Sequence, residues 1–294
     1  MALPTSVPGI ADVEIFGRGH EVDLVVEVPH GADRRHHYDA LRARMLGPLP
    51  ADLHEFFHVN TDVGAWQVGR RVAEGFAARG LGVAVAIRCL LPRTFIDCNR
   101  VEGAGAEGGL TAGIPAYIDD ERDRALLVDL HRRYVAVVEA GIGAVSSHGF
   151  VLLPHTYGPV TLGIPTVGAD IVEKLRWAHE AEQLATWPLR PQVDLITRTA
   201  EGVLHAPERV AQRVAAGYRA MGLEVAENKT YHMHPVTMGY RWATQLPERV
   251  LSLEIRRDLL VREWHWNREQ EIDGEAIERF AGPLLTAIAE RPTS

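Results

Sequence analysis

The chain has 294 residues, 46% of them hydrophobic and 24% charged, with two cysteines and a formal net charge of -8. This is the composition of a soluble globular protein, and it excludes a disulfide scaffold, a four-cysteine zinc site and a basic nucleic-acid surface. No apolar stretch approaches the ~20 residues that a membrane span requires. The N-terminal segment lacks a basic stretch followed by an apolar core, so the expected location is the cytoplasm. With no repeat, low-complexity tract or long linker, a single domain over residues 1–294 is expected.

In chain order, DLVVEV (23–28) reads as a buried strand ending at Pro29-His30-Gly31. Apolar residues at helical spacing predict a helix over 63–79, stopped by Gly80. Strands are predicted over 82–88 and 94–98, and a Gly-rich loop over 104–113. A long helix covers 120–140, followed by a strand over 150–153 that ends at Pro154-His155. Helices over 170–185 and 207–221, a strand over 250–255 and a closing helix over 274–290 complete the pattern. Strands alternating with helices imply an α/β sheet covered on both faces. Ligands of such sheets sit beyond the carboxyl ends of the strands, where His30, Asp97, His155 and Glu254 all fall.

Fourteen histidines make any one of them weak evidence, and solvated surface is the plain reading for His20, His36, His37, His54, His58 and His205. His30 and His155 differ, because each directly follows an apolar run and a proline. A hydrolytic zinc site takes three protein ligands and one open position. Asp33 and Asp62 are both candidates for a carboxylate beside the two histidines, and spacing alone does not choose. Thr61 and Asp62 are also ordinary helix-capping types.

RTFIDCNR (93–100) offers an arginine fork and an adjacent amide, Arg100 and Asn99, suited to a substrate carboxylate. Asp97 is placed to orient an arginine. Alternation in LSLEIRR puts Ser252, Glu254 and Arg256 on one face of a strand. A partly buried Glu254 there suits a general base, while a solvent-facing glutamate paired with Arg256 is the plain alternative. There is no GxSxG elbow, no phosphate loop and no GxGxxG after a strand.

Seven segments in order resemble the N-formylglutamate amidohydrolase family: VVEVPHG (25–31), TDVGA (61–65), RTFIDCNR (93–100), VLLPHTYGPV (151–160), RPQVDLI (190–196), NKTYHMHP (228–235) and LEIRRDLL (253–260). That family is similar in turn to zinc carboxypeptidases and aminoacylases. The resemblance implies a phosphorylase/hydrolase-like, zinc-peptidase-like three-layer α/β sandwich around a mixed, mostly parallel sheet. It also implies Zn2+ held by His30, Asp62 and His155, with Asp33 in reserve, and Glu254 as general base. Asn99 and Arg100 would hold a substrate carboxylate, and Arg93 or Arg190 a second one or the developing oxyanion. The implied substrate is a small N-acyl acidic amino acid, with another N-acyl amino acid or a peptide C-terminus as the alternative. Thr156, Tyr157 and Gly158 depart from the family's Ser, Phe and Thr, and His232 and His234 replace a Gly-rich run.

Overall fold

The computed structural model describes residues 3–19, 21–107 and 109–291; His20 and Gly108, the latter in the predicted Gly-rich loop, lie outside them. Seven strands form one sheet: β1 (Ala11–Phe16), β2 (Val22–Val28), β3 (Ala84–Cys89), β4 (Val145–Tyr157), β5 (Val193–Ile196), β6 (Val225–Glu227) and β7 (Val250–Arg256). Their spatial order is β1-β3-β2-β4-β7-β5-β6. β2–β3, β2–β4, β4–β7 and β5–β6 are parallel, while β1–β3 and β5–β7 are antiparallel. The sheet is therefore mixed and mostly parallel, as expected.

The helices are α1 (Arg35–Arg42), α2 (Leu53–Asn60), α3 (Ala65–Ala78), α4 (Glu121–Gly143), α5 (Ile171–Ala178), α6 (Ala181–Leu184), α7 (Glu208–Ala220), α8 (Met238–Gln245) and α9 (Gly274–Ala289). One apolar core joins α3, α7 and α9 to one sheet face through Val72, Phe76, Val214, Tyr218 and Phe280 against Leu24, Val26, Leu152 and Leu253. The other core packs α1, α2, α4, α5 and α8 on the opposite face, through Tyr38, Phe57, Leu130, Tyr134, Leu175 and Trp242. The central strands are buried on both faces, which explains their near-continuous apolar runs. Three layers result.

Three of the predicted elements differ, and β1, α1, α2, β5, β6 and α8 have no counterpart in the sequence reading. Residues 94–98 form turns, not a strand. The amides of Phe95 and Ile96 turn back to the Pro92 carbonyl, and Asn99 N–H donates to Asp97 Oδ1 at 2.9 Å. An aspartate that bonds its own backbone two residues on favours a turn over a strand. The strand expected to stop at Pro154 runs on to Tyr157, because β7 continues to pair with it from Val151↔Val250 to Tyr157↔Arg256. The helix expected over 170–185 breaks after Ala178 into α5 and the single turn α6.

The sheet's topology fixes where a site can open. β2 continues to β3 on one side, while β4 lies on its other side. Such a reversal of direction leaves a crevice at the carboxyl ends of the two strands. β2–β4 pairing ends at Val26↔Leu152, and β2 and β4 carry His30 and His155 beyond that point. Helix α3 lies close across the same place. A Cβ on Gly69 would approach Val26 Cγ1 to 2.7 Å and Pro154 Cγ to 3.1 Å, so only glycine lets the helix ride this near the strands.

Candidate metal centre

His30 follows β2, and its backbone is tied to the loop that precedes α3. Asp62 N–H donates to the His30 carbonyl at 3.2 Å, and Thr61 Oγ1 to the Ala32 carbonyl at 2.7 Å. Neither residue caps the helix; Gly64 holds that position with φ +85°, where a Cβ would approach Leu260 Cδ1 to 2.7 Å. The left-handed turn at Gly64 frees Asp62 to point into the sheet crevice. There Asp62 Oδ2 lies 3.1 Å from His30 Nδ1 and 2.9 Å from His155 Nδ1. All three residues are buried, and their donor atoms lie within 4.8 Å of one another.

Two imidazoles and one carboxylate make a donor set that fits a catalytic divalent metal such as zinc. His30 Nε2 is also 2.7 Å from Asp97 Oδ1. A carboxylate on the far ring nitrogen fixes the tautomer and orientation of a ligating histidine, so the second layer suits a metal as well. Asp33 points elsewhere, to Arg88 and to Gln67 Nε2 at 3.3 Å, and is not part of the cluster.

Charge is balanced around the cluster. Burial opposes ionisation of Asp62, yet His30 and His155 hold its carboxyl below the usual range. Burial likewise opposes ionisation of Asp97, but Arg100 and Arg93 hold it well below. We expect Asp97→Asn, which keeps the shape and removes the charge, to weaken metal affinity by about 10–100-fold. Competition titration against a chromogenic chelator measures this, and unchanged affinity would remove Asp97 from the support layer.

Glu254 lies directly beside His155 in the register of β7 on β4. Its Oε2 is buried with no hydrogen-bond partner among the described residues. Arg256, the partner in the plain reading, instead donates to Asp258 at 2.9 and 3.0 Å. Burial, with the Asp62 charge adding to it, pushes the Glu254 carboxyl up to about 7. An uncompensated buried carboxyl costs stability, so its persistence beside the cluster points to work on a reacting group.

Arg93, Asn99, Arg100 and Arg190 line the same cavity as His30, His155 and Glu254, a space of about 690 Å³. They are not equally free. Arg100 is buried and spends its donors on the Thr111 and Asn99 carbonyls and on Asp97, 3.3 Å away. Asn99 Oδ1 accepts from Gly239 N–H at 3.3 Å. Arg93 donates through Nε to Asp97 Oδ2 at 3.0 Å, and its two terminal nitrogens make no hydrogen bond among the described residues. Arg190 lies over the Tyr157 and Tyr231 rings at 5.0 and 5.8 Å and touches Thr161 through Nε at 3.1 Å.

Two residues of the site escaped the sequence reading. Arg257, buried just past β7, donates to the Thr156 carbonyl at 2.9 Å and lies 3.5 Å from Asp62 Oδ1. Strand alternation ends at Arg256, so no periodicity marks the next residue. Asp194 is the β5 neighbour of Glu254 and accepts from the Lys229 and Thr230 amides at 3.2 and 2.6 Å, holding the turn that brings Tyr231 to the cavity. Its segment, RPQVDLI, was legible only as part of the resemblance.

No protein-family model matches the chain, and no curated protein matches its sequence. Among solved structures, it is similar to a crystal structure of N-formylglutamate amidohydrolase from Ralstonia eutropha JMP134. The two are 18% identical over 96% of each chain, with a TM-score of 0.53. It is also similar to the structure of a gene product from Agrobacterium tumefaciens, at 20% identity over 94% of this chain and 92% of that chain, with a TM-score of 0.51. At these identities the likeness establishes the fold, and at that level the expected resemblance holds.

Proposed function

We propose that the chain is a single-domain metal-dependent hydrolase that cleaves the linear amide of an N-acyl acidic amino acid. The observation that carries this reading is the buried His30–Asp62–His155 group beside an unpartnered Glu254, at one wall of a cavity that also presents Arg93 and Arg190. Its fold is that of an N-formylglutamate amidohydrolase structure, which supports the same reaction class. A zinc-like divalent ion held by His30, Asp62 and His155 would supply a Lewis acid that polarises the amide carbonyl and acidifies water.

The remaining work falls to the chain's own residues. Arg93 is placed to pair with a substrate carboxylate through its free terminal nitrogens, the stronger form of hydrogen bond. Arg190, near the Tyr157 and Tyr231 rings, supplies a second cation for another carboxylate or for the oxyanion. Asn99 borders the same space, and Arg100 acts through Asp97. Glu254 Oε2 takes a proton from water and passes it to the departing nitrogen. The water oxygen stays on the acyl carbon as a carboxylate, the C–N bond breaks, and both water protons leave with the amine as ammonium. No described helix is long and apolar enough to cross a membrane, and the proposed substrate is a small molecule met in the cytoplasm.

The reading is tested by incubating zinc-loaded protein with N-formyl-L-glutamate and following release of the free amine. Hydrolysis that stops on chelation and returns with zinc is the expected result. Turnover indifferent to chelation would overturn it.

A further inference from the structure

The cavity lining is of two kinds. Its charged residues include Arg93 and Arg100 from the turns after β3, Arg190 before β5, Glu254 of β7 and Arg257 just past it. The apolar side is formed by Phe56 and Val59 from α2, Leu162 and Ile164 from the segment after β4, Leu175 from α5, and Trp266. This side is built rather than incidental. Arg176 of α5 donates to Glu55 at 3.0 and 2.8 Å and to Asp52 at 2.7 Å, which pins α5 against α2. Trp266 stacks on His179 with ring centroids 4.3 Å apart and planes 13° from parallel. His179 Nδ1 is bonded in turn to the Leu175 carbonyl at 2.8 Å.

A formyl group ends in a hydrogen atom and would leave this side facing water. A contiguous apolar surface of this kind marks a ligand contact. The volume agrees: about 690 Å³ lies within the about 300–1,000 Å³ that encloses a drug-sized ligand, well above the need of one formylated amino acid.

We propose that the amide cleaved here carries a bulky apolar acyl group, a medium-length alkyl or an arylalkyl chain, seated against Phe56, Val59, Leu162, Ile164, Leu175 and Trp266. This rests on the amide-hydrolase reading above and assigns the acyl half of the substrate. The arginines then hold the amino acid, and the acyl carbon lies beside Glu254.

The test is the kcat/KM of zinc-loaded protein for N-formyl-, N-acetyl-, N-hexanoyl- and N-phenylacetyl-L-glutamate, with calorimetric affinities of the Glu254→Gln protein for the formyl and hexanoyl compounds. Each buried methylene is worth about fourfold, so the five carbons that hexanoyl adds should raise kcat/KM over formyl by about 1,000-fold, and phenylacetyl should also exceed formyl. Ile164→Asp should cut the hexanoyl-to-formyl ratio about tenfold, and an unchanged ratio would count against the assigned wall. Fastest turnover for formyl, with affinity flat along the series, would overturn the inference and leave the hydrolase reading standing. Tight hexanoyl binding without turnover of any compound would support the apolar subsite and overturn the hydrolase reading instead.

Discussion

Glu254→Gln should lower kcat by about 10²–10⁴-fold, the usual contribution of a positioned acid–base group, while metal content stays as it was. Glutamine keeps the volume and one oxygen but cannot take up a proton. Since Glu254 stands beside the cluster and outside its converging donor atoms, the ion should remain. In the unaltered protein the rate should fall tenfold per pH unit on the acid side, as the carboxyl takes up a proton, and the variant should lose that limb. Initial rates across pH, beside elemental analysis, measure both. A variant at full speed would remove Glu254 from its role; one that loses both metal and activity would make it a ligand.

Replacing His30, Asp62 or His155 by alanine should weaken metal affinity well beyond the about 10–100-fold of an outer-shell partner and take turnover to background. The three substitutions differ in their side effects. Without Asp62, Arg257 loses the anion 3.5 Å away, and both imidazoles lose their shared acceptor. Without His155, Asp62 keeps His30 and Arg257. The Asp62 variant should therefore show the largest fall in thermal midpoint. Elemental analysis of the purified proteins, with circular dichroism to check folding, decides the matter. Retention of about one ion per chain in a protein carrying His30→Ala, Asp62→Ala and His155→Ala together would place the metal elsewhere.

Much of this arrangement was readable beforehand where it depended on strands. VVEVPH and VLLPH are apolar runs buried on both sheet faces, so their carboxyl ends and the histidines there followed from sequence. Alternation in β7 left Glu254 open between a general base and a solvent-facing partner of Arg256, and only the resemblance favoured the first. What failed depended on pairing partners and local bonds. His155 lies inside a strand because β7 extends it, and no local signal at residues 151–157 reports how long β7 is. The choice between Asp62 and Asp33 turned on Gly64, whose left-handed turn sends Asp62 inward, and on Arg88, which claims Asp33. Arg100 reads as a free fork in the sequence but is consumed by the Asn99 and Thr111 carbonyls and by Asp97, contacts that side-chain type alone does not reveal.

Pro154 sits in the middle strand of the sheet, a position where proline is ordinarily confined to edges or bulges. Val151 N–H donates toward β7, to the Arg249 carbonyl, so alternation turns the nitrogen of residue 154 toward β2. That nitrogen carries no hydrogen. The missing donor falls two residues past the last β2–β4 pair, on the side where the strands must part. One absent hydrogen thus leaves a rung out of the ladder at the place where β2 and β4 carry His30 and His155 to the site.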